Sequence, residues 1–300
     1  MLSCLGEPDV TTTPKLEVVV QGRDRLGECP IWDEREQALW WIDSRGPALR
    51  RLDPAGGAVR TLPLPRTVGS IALRERGGLL VAMQDGLHFL DPVSGVLTAA
   101  VDPESDLPDN RFNDGRCDRA GRFWAGTMCD VRRDPTGSLY CFEPGLAWRK
   151  LRGGITIPNS LAWSPDGRTM YFADTHAMVI WAWDYDPASG MASGERVFVD
   201  AAPGRPDGSC VDAEGGLWNA QYGAGRLVRY TPNGTVDRVV ELPFANPTCC
   251  CFGGAGYDTL FVTSATQRLS PEDLERQPLA GSVLAFRPGV TGLPEPRFGG

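Results

Sequence analysis

The stretch GRPDGSCVDAEGGLWNAQ, residues 204 to 221, determines how this chain is divided into strands. It contains two segments that favour tight turns, PDG at 206–208 and AEGG at 213–216, separated by a short run. If both segments were hairpin turns, the strand between them would be very short. The rest of the sequence indicates which of the two ends a strand.

The second half of this stretch belongs to a repeat in which a turn precedes a short apolar or aromatic strand. Six units share the pattern: WDEREQALWWID, LRERGGLLVAMQ, CDRAGRFWAGTM, SPDGRTMYFADT, VDAEGGLWNAQY and FGGAGYDTLFVTS. A second pair of strands follows five of these units, and the sixth closes with SVLAFRPG after a longer insertion. This gives four strands in roughly 40 to 50 residues, the period of propeller blades. The sequence therefore predicts an all-β, six-bladed β-propeller of four-stranded antiparallel blades. A β-sandwich, the alternative, does not explain six similar units.

The propeller geometry assigns the two turn segments to opposite rims. If the strands of a blade are named A to D from the axis outward, AEGG is the A-to-B turn and PDG precedes strand A, beside the channel. We expect LEVVVQG, residues 16–22, to pair as the outer strand of blade six and close the ring. The predicted domain spans 16–290, with an N-terminal extension at 1–15 and a tail at 291–300. The one convincing helical stretch is SPEDLERQ, 270–277, with Ser270 as N-cap. It lies in an insertion of blade six, about residues 264–281, which we expect to cover the channel mouth and help to select the substrate; the alternative is a packing appendage or a dimer contact.

Composition argues against several classes of function. The net charge is −8 and no basic stripe is present, so neither nucleic acid nor an anionic membrane surface is an expected partner. No run approaches the roughly 20 apolar residues of a membrane span, and the first residues lack a signal peptide, so we expect a cytoplasmic monomer or weak homo-oligomer. The nine cysteines are odd in number and form no C-x-x-C pair, which indicates neither a disulfide framework nor a zinc knuckle.

Polar residues recur at the start of strand A in every unit, on the rim of the channel. They are Glu28, Ser70, the group Arg111, Asn113 and Asp114, then Asn159, Asp207 and Thr248. Glu28, Asn159 and Asp207 supply two carboxylates and an amide oxygen, which are hard ligands suited to Ca²⁺, Mg²⁺ or Mn²⁺. Taken alone, each is an ordinary turn, cap or surface residue. Their shared position in the repeat instead predicts a metal site.

Further residues on the same rim are candidates for contact with a substrate. Arg111 and Asn113 lie in the segment NRFNDG, while Asp130 and His176 fall in B-to-C loops. Each also has a plain structural alternative. A loop polar group is usually solvated, and Arg111 could pair with Asp109 or Asp114 and only order its loop.

Four segments in this order closely resemble the SMP-30/gluconolactonase family of regucalcin-like sugar lactonases. They are LGECPIWD (26–33), NRFNDGRCDRAGRFWAGTM (110–128), IPNSLAWSPDGRTMYFADT (157–175) and RPDGSCVDAEGGLW (205–218). The resemblance implies a six-bladed propeller with one catalytic divalent cation, Ca²⁺ foremost, with Zn²⁺, Mg²⁺, Mn²⁺ or Fe²⁺ as alternatives. It implies that Glu28, Asn159 and Asp207 hold the metal and that Asp207 is the general base. Arg111 and Asn113 would hold sugar hydroxyls. After AGTM the chain reads CDVRRDPTGS, where relatives often place a substrate-contacting Glu. Asp130 and His176 are the further candidates for substrate contact.

The expected activity is hydrolysis of an aldonolactone, such as glucono-, galactono-, xylono- or arabinonolactone, to its aldonic acid. No G-x-S-x-G elbow is present, and two histidines are too few for a His-rich metal site. Two alternatives stay open at this point. One is phosphotriester or aryl ester hydrolysis of the paraoxonase kind, which would call for a second, structural cation. The other is a non-enzymatic Ca²⁺-binding propeller.

Overall fold

Six four-stranded antiparallel sheets form the chain, as seen in a computed structural model that describes residues 11–53, 55–201 and 204–300. The inner strand of each sheet contacts the inner strands of the preceding and following sheets, and the sixth contacts the first. The sheets are therefore blades around a closed ring, and the prediction of a six-bladed β-propeller is confirmed.

The blades follow one another along the chain, each from its inner strand A to its outer strand D. Blade one contains Gly27–Asp33, Ala38–Asp43, Ala48–Leu52 and Val59–Pro63. Blade two contains Val68–Leu73, Leu79–Met83, Gly86–Leu90 and Leu97–Val101. Blade three contains Asn110–Cys117, Phe123–Cys129, Gly137–Phe142 and Trp148–Ile155.

The remaining blades complete the ring. Blade four contains Pro158–Trp163, Thr169–Asp174, Val179–Asp186 and Met191–Asp200. Blade five contains Arg205–Val211, Leu217–Tyr222, Arg226–Tyr230 and Val236–Glu241, with Thr11–Thr12 added parallel to its outer strand. Blade six contains Pro247–Gly253, Thr259–Ser264, Val283–Phe286 and, as its outer strand, the N-terminal segment Glu17–Val20. The predicted ring closure by the strand near residue 16 is confirmed.

Of the two turn segments in the opening stretch, AEGG has the predicted role, whereas PDG lies within strand A and not before it. The A-to-B turn of blade five is organised by Asp212, whose Oδ1 accepts from the backbone N–H groups of Glu214 and Gly216 at 3.0 and 2.9 Å. Asp207 is part of strand A, which starts at Arg205 and so begins earlier than the sequence suggested. Asp207 is therefore a channel residue and not a hairpin residue.

The one α-helix among the described residues is Pro271–Arg276, in the blade-six insertion. Ser270 is its N-cap and forms a capping box with Asp273, as the sequence predicted for the start of the helix. With six residues, it is far too short to cross a bilayer, and no helix in the described part of the chain is long and apolar enough to do so.

The C-terminal segment crosses the rim opposite the starts of the inner strands. Its backbone bonds to A-to-B turns of blades one half-turn apart: Ala213 N–H donates to Thr291 O at 2.8 Å, and Glu75 N–H donates to Phe298 O at 2.9 Å. Glu295 forms an ion pair with the buried Arg116, and Phe298 is fully buried. The segment predicted as a tail at 291–300 thus packs across this end of the ring. The predicted boundaries, including the extension at 1–15 whose first ten residues lie outside the described part, stay a prediction.

The inner strands approach each other so closely that several positions have room only for glycine. A Cβ added to Gly69 of blade two would lie 2.4 Å from the carbonyl oxygen of Phe112 and 2.5 Å from that of Asn113, in blade three. Backbone oxygens cannot move aside as a flexible side chain can. Glycine at this position therefore sets the distance between the two inner strands.

We expect Gly69→Ala to lower the free energy of unfolding by about 1 to 3 kcal/mol or more, because the added methyl group overpacks a rigid contact. The matched control is Gly145→Ala in a C-to-D turn, where an added Cβ meets nothing within 4 Å. Thermal melts of both variants test this, with a loss of several degrees expected for Gly69→Ala only. Equal melting temperatures for the two variants would contradict it.

Candidate active site

A pocket of about 490 Å³ opens at the rim where the inner strands begin, within the size range of small-molecule sites. The structure brings six of the seven predicted site residues into its lining: Glu28, Arg111, Asn113, Asn159, His176 and Asp207. Asp130, the seventh, does not line the pocket but bonds to two arginines that do. The residues singled out from the sequence therefore converge on one place.

A β-bulge at the start of each inner strand aims these side chains. In all six blades the register between strands A and B shifts at this point, for example between Glu28 and Ile31 and between Asn159 and Ala162. Cys29 and Ser160, which follow Glu28 and Asn159, have φ angles of 49° and 61°, a region that non-glycine residues rarely adopt. Bulges re-aim side chains, and such strain concentrates at functional sites.

The carboxyl groups of Glu28 and Asp207 are the acidic groups in the lining of this pocket. Among the described residues, neither has a basic side chain within ion-pair distance, and Asp207 is buried. Burial raises the pKa of both carboxyl groups well above the usual range, and the charge of Asp207 raises that of Glu28 further. A cation bound between them would offset this cost. Within the same described ranges no three His, Cys, Asp or Glu side chains cluster as a metal site, so the amide of Asn159 would have to complete the ligand set.

A chain of hydrogen bonds fixes which end of the Asn159 amide faces the pocket. Thr175 donates its hydroxyl proton to the carbonyl of Pro206 at 2.7 Å and so can only accept from Asn159 Nδ2, also at 2.7 Å. The amide oxygen then faces Asn113, whose Nδ2 donates to it at 3.0 Å. Asn159 thus presents an oxygen, the atom that a hard cation requires.

Asp130 holds two arginines in place rather than facing a substrate. It accepts from Arg111 Nε at 2.8 Å and from Arg45 through both of its oxygens, one of them at 2.7 Å. Burial opposes ionisation, yet the Arg45 hydrogen bond and the Arg111 charge hold the pKa of Asp130 below its usual range. The partner of Arg111 is therefore neither Asp109 nor Asp114, the two carboxylates considered from the sequence.

Arg111 is buried, and its Nη1 donates to the Phe112 carbonyl and to Asn113 Oδ1 at 2.8 and 2.9 Å. Among the described residues, its remaining terminal nitrogen has no hydrogen-bond partner. Burial lowers the pKa of this guanidinium to about 10, against the opposing charge of Asp130, so it stays protonated at neutral pH. The free N–H groups of Arg111 are placed to donate into the pocket. Asn113, by contrast, donates both amide N–H groups within the protein, to the carbonyl of Pro158 and to Asn159 Oδ1.

The other strand-start residues have structural roles. Asp114 accepts from the backbone N–H of Leu161 at 2.9 Å and so ties blade three to blade four. Thr248 donates to the carbonyl of Gly27, which ties blade six to blade one, and Ser70 is fully buried. His176, by contrast, is exposed at the mouth of the pocket.

Several pocket residues were not found from the sequence. They come mainly from B-to-C loops and from the blade-six insertion: Arg45, Arg133, Thr175, Tyr222, Gln267 and Arg268. Gln267 is held by its carbonyl, which accepts from Tyr222 Oη at 3.2 Å and Asn246 Nδ2 at 3.1 Å. The start of the insertion therefore reaches the pocket as expected, whereas the helix that follows has no buried residue and does not line it. The sequence feature that could have identified these additional pocket residues is their location in B-to-C loops.

The chain is similar to known proteins over nearly its whole length. Residues 26–266 match the sequence profile of the SMP-30/Gluconolactonase/LRE-like region. The chain is 39% identical over 287 residues to 6-deoxy-6-sulfogluconolactonase of Pseudomonas putida, covering 95% of this chain and 99% of that protein. It is 36% identical to regucalcin of Homo sapiens, covering 93% and 95%. The crystal structure of a calcium-binding protein, regucalcin from Agrobacterium tumefaciens, superposes with a TM-score of 0.92 at 34% identity, covering 96% and 99%.

We expect Asp130→Asn to destabilise the protein by about 2 to 4 kcal/mol, because it leaves the buried Arg111 guanidinium without its counter-charge. Asp109→Asn is the control, since Asp109 forms only an exposed pair with Arg132 at 3.1 Å, worth at most about 1 kcal/mol. Urea unfolding of the wild type and both variants measures the difference.

The sign of the pH dependence follows from the lowered pKa of Asp130. Its contribution is complete above the ordinary carboxyl pKa of about 4 and is lost as the pH falls towards the folded-state value. The gap between wild type and Asp130→Asn should therefore narrow below about pH 4. A gap that is independent of pH, or no larger than that of Asp109→Asn, would show that the Asp130 pair is not stabilising.

Proposed function

The chain belongs to the SMP-30/gluconolactonase/LRE-like family and is a lactonase, and we propose that it hydrolyses an aldonolactone with one bound divalent cation. The observation that carries the metal requirement is the pair of carboxylates, Glu28 and Asp207, which face the channel without a basic partner among the described residues. By its name, the Pseudomonas putida relative acts on a substituted gluconolactone. This supports a six-carbon aldonolactone as the substrate, and five-carbon lactones are the next class to assay.

The donor set fits a hard divalent cation. Glu28 and Asp207 supply two carboxylates, and the Thr175 hydrogen bond turns the Asn159 amide oxygen towards the pocket. All three are oxygen donors, as Ca²⁺, Mg²⁺ and Mn²⁺ prefer. The name of the Agrobacterium tumefaciens neighbour, a calcium-binding protein, favours Ca²⁺ among them.

When bound, a divalent cation would supply a Lewis acid for the lactone carbonyl. Asp207 is the group placed to take a proton from the attacking water, since it lies in the pocket and its carboxyl group bonds to the backbone N–H of Gly208 but to no other side chain within the described chain. The free N–H groups of Arg111 are placed to donate to a sugar hydroxyl or to the carboxylate that forms on ring opening. Asn113 links Arg111 to Asn159 and so acts as a positioning residue.

The lactonase relative argues against the purely non-enzymatic alternative, and no observation favours phosphotriester hydrolysis. Neither a serine nor a cysteine nucleophile is needed for the proposed chemistry. The eight cysteines in the described chain are buried thiols, and burial raises the pKa of Cys29 to about 12, so this thiol is protonated at neutral pH. Cys4 lies outside the described residues.

Replacing Asp207 by Asn should lower kcat for δ-gluconolactone by at least about 10² to 10⁴, the range lost when a general base is removed. The control is Asp258→Asn, a carboxylate on the opposite rim that pairs with Arg287 at 2.9 Å and should keep full activity. Acid release from the lactone, corrected for spontaneous hydrolysis, gives the rates. If Asp207→Asn kept more than a tenth of wild-type turnover, Asp207 would not be the base.

Metal binding should reverse the order of stability between wild type and Asp207→Asn. In chelator, the variant should be at least as stable as the wild type, because it lacks one uncompensated buried carboxylate. With Ca²⁺ or Mn²⁺ at a hundred times its Kd, the wild type should gain about 2.7 kcal/mol, and the variant much less. Melting temperatures with and without metal test this without any assay of turnover. A wild type that gains no stability from any divalent cation would refute the metal site.

A further inference from the structure

Arginines dominate the charged lining of the pocket, although the protein as a whole is acidic. Arg45, Arg111, Arg133, Arg205 and Arg268 line it together with only two carboxylates, Glu28 and Asp207, while the net charge of the chain is −8. The two carboxylates are the proposed metal ligands. Their charge is therefore committed to the cation, and the arginines are left in excess.

Most of these arginines lack a carboxylate of their own. Asp130 is shared by Arg45 and Arg111, which leaves one negative charge for two guanidinium groups. Within the described chain, Arg133, Arg205 and Arg268 form no ion pair. Three arginines at the mouth of the pocket are thus free to meet an anion.

Arg133 is the most telling of the three. It is partly buried, and the one hydrogen bond of its guanidinium is a weak one to the sulfur of Met128 at 3.5 Å. Burial lowers its pKa, the charge of Asp130 opposes this, and the neighbouring charges of Arg268 and Arg45 lower it further. A guanidinium held among other guanidiniums is destabilised unless an anion joins them.

The backbone conformation of Arg133 and Arg268 supports a role in ligand binding. Arg133 and Arg268 have φ angles of 60° and 64°, the left-handed region that long side chains disfavour. They lie in different blades, in the B-to-C loop of blade three and the insertion of blade six, yet both line the same pocket. These two loop positions thus bring to one pocket two arginines that form no ion pair in the described chain, and backbone strain of this kind is enriched at functional sites.

We infer that the mouth of the pocket is an anion subsite formed by Arg133 and Arg268, and that the preferred substrate is a lactone carrying an anionic substituent on its sugar chain. This inference rests on the proposed lactone hydrolysis and adds the class of substrate. A neutral aldonolactone offers these guanidinium groups hydroxyl and carbonyl oxygens but no negative charge. A sulfonate, a phosphate or a carboxylate offers the planar or tripodal oxygens that guanidinium groups bind with two hydrogen bonds.

The test compares a neutral six-carbon aldonolactone with three derivatives that differ only at C6, where they carry a sulfonate, a phosphate or a carboxylate. The wild type should show a kcat/KM for at least one anionic lactone about 10- to 100-fold above that of the neutral lactone, the worth of one or two charge-assisted hydrogen bonds. The largest of the three ratios identifies the substituent. Because the attraction is electrostatic, the ratio should fall as the salt concentration rises.

Arg133→Gln and the double variant Arg133→Gln/Arg268→Gln should bring the ratio progressively towards one, mainly through KM. The matched control is Arg76→Gln, which removes the same charge from an exposed A-to-B turn on the opposite rim and should leave the ratio unchanged. Equal kcat/KM for neutral and anionic lactones in the wild type would overturn the inference while leaving lactone hydrolysis intact. So would an equal loss of the ratio in Arg76→Gln.

A binding measurement keeps the inference testable apart from catalysis. The open-chain acids of the same four compounds differ only in the C6 group, and their Kd values can be measured by calorimetry in the presence of Ca²⁺. Tighter binding of a C6-anionic acid by the wild type, lost in Arg133→Gln, supports the subsite even if no lactone is hydrolysed. Equal Kd values for all four acids would refute it, whereas absence of turnover with every lactone would refute only the proposed function.

Discussion

The close approach of the six inner strands is the constraint on which the rest of the structure depends. Gly69 lies against the backbone of Phe112 and Asn113, and a Cβ on Gly208 would lie 2.3 Å from the sulfur of Cys249. Strands this close leave a narrow channel between them. Any polar side chain that enters this channel must find a partner there or bear the cost of desolvation.

The site follows from that constraint. Small polar groups satisfy one another across neighbouring blades, as Asp114 does with the Leu161 N–H and Thr175 does with the Pro206 carbonyl. Glu28 and Asp207 are the exception, because neither forms an ion pair in the described chain and burial raises the pKa of both carboxyl groups. The bulges at the strand starts accompany the placement of both carboxyl groups in the lining of one pocket. Because the fold buries two carboxyl groups that have no ion-pair partner among the described residues, it favours binding of a cation between them.

Much of this could be predicted from the sequence, because each blade repeats the same turn and strand pattern and ring closure needs only an N-terminal strand. The position of Asp207 was predictable for the same reason: its place in the repeat excluded a hairpin. Residues that act through irregular loops were not. Contacts between loops of separate blades decide where Arg133 and Arg268 lie and how Asp130 pairs with Arg45. The repeat in the sequence does not predict these contacts. The sequence also could not identify the partner of Arg111. Asp109 and Asp114 are close to it along the chain, whereas the approach of Asp130 depends on how the chain folds in space.

The C-terminal segment across the opposite rim has a consequence for traffic through the channel. Phe298 is buried and Glu295 pairs with Arg116 at that end, so the C-terminal segment covers it. The pocket opens at the other rim. Substrate and product must then pass the same arginines. Hydrolysis of the lactone adds a carboxylate, so the product carries one more negative charge than the substrate when it passes the arginines. If these arginines bind anions, they also slow release of the acid, and any acid that accumulates competes with the substrate for the same groups.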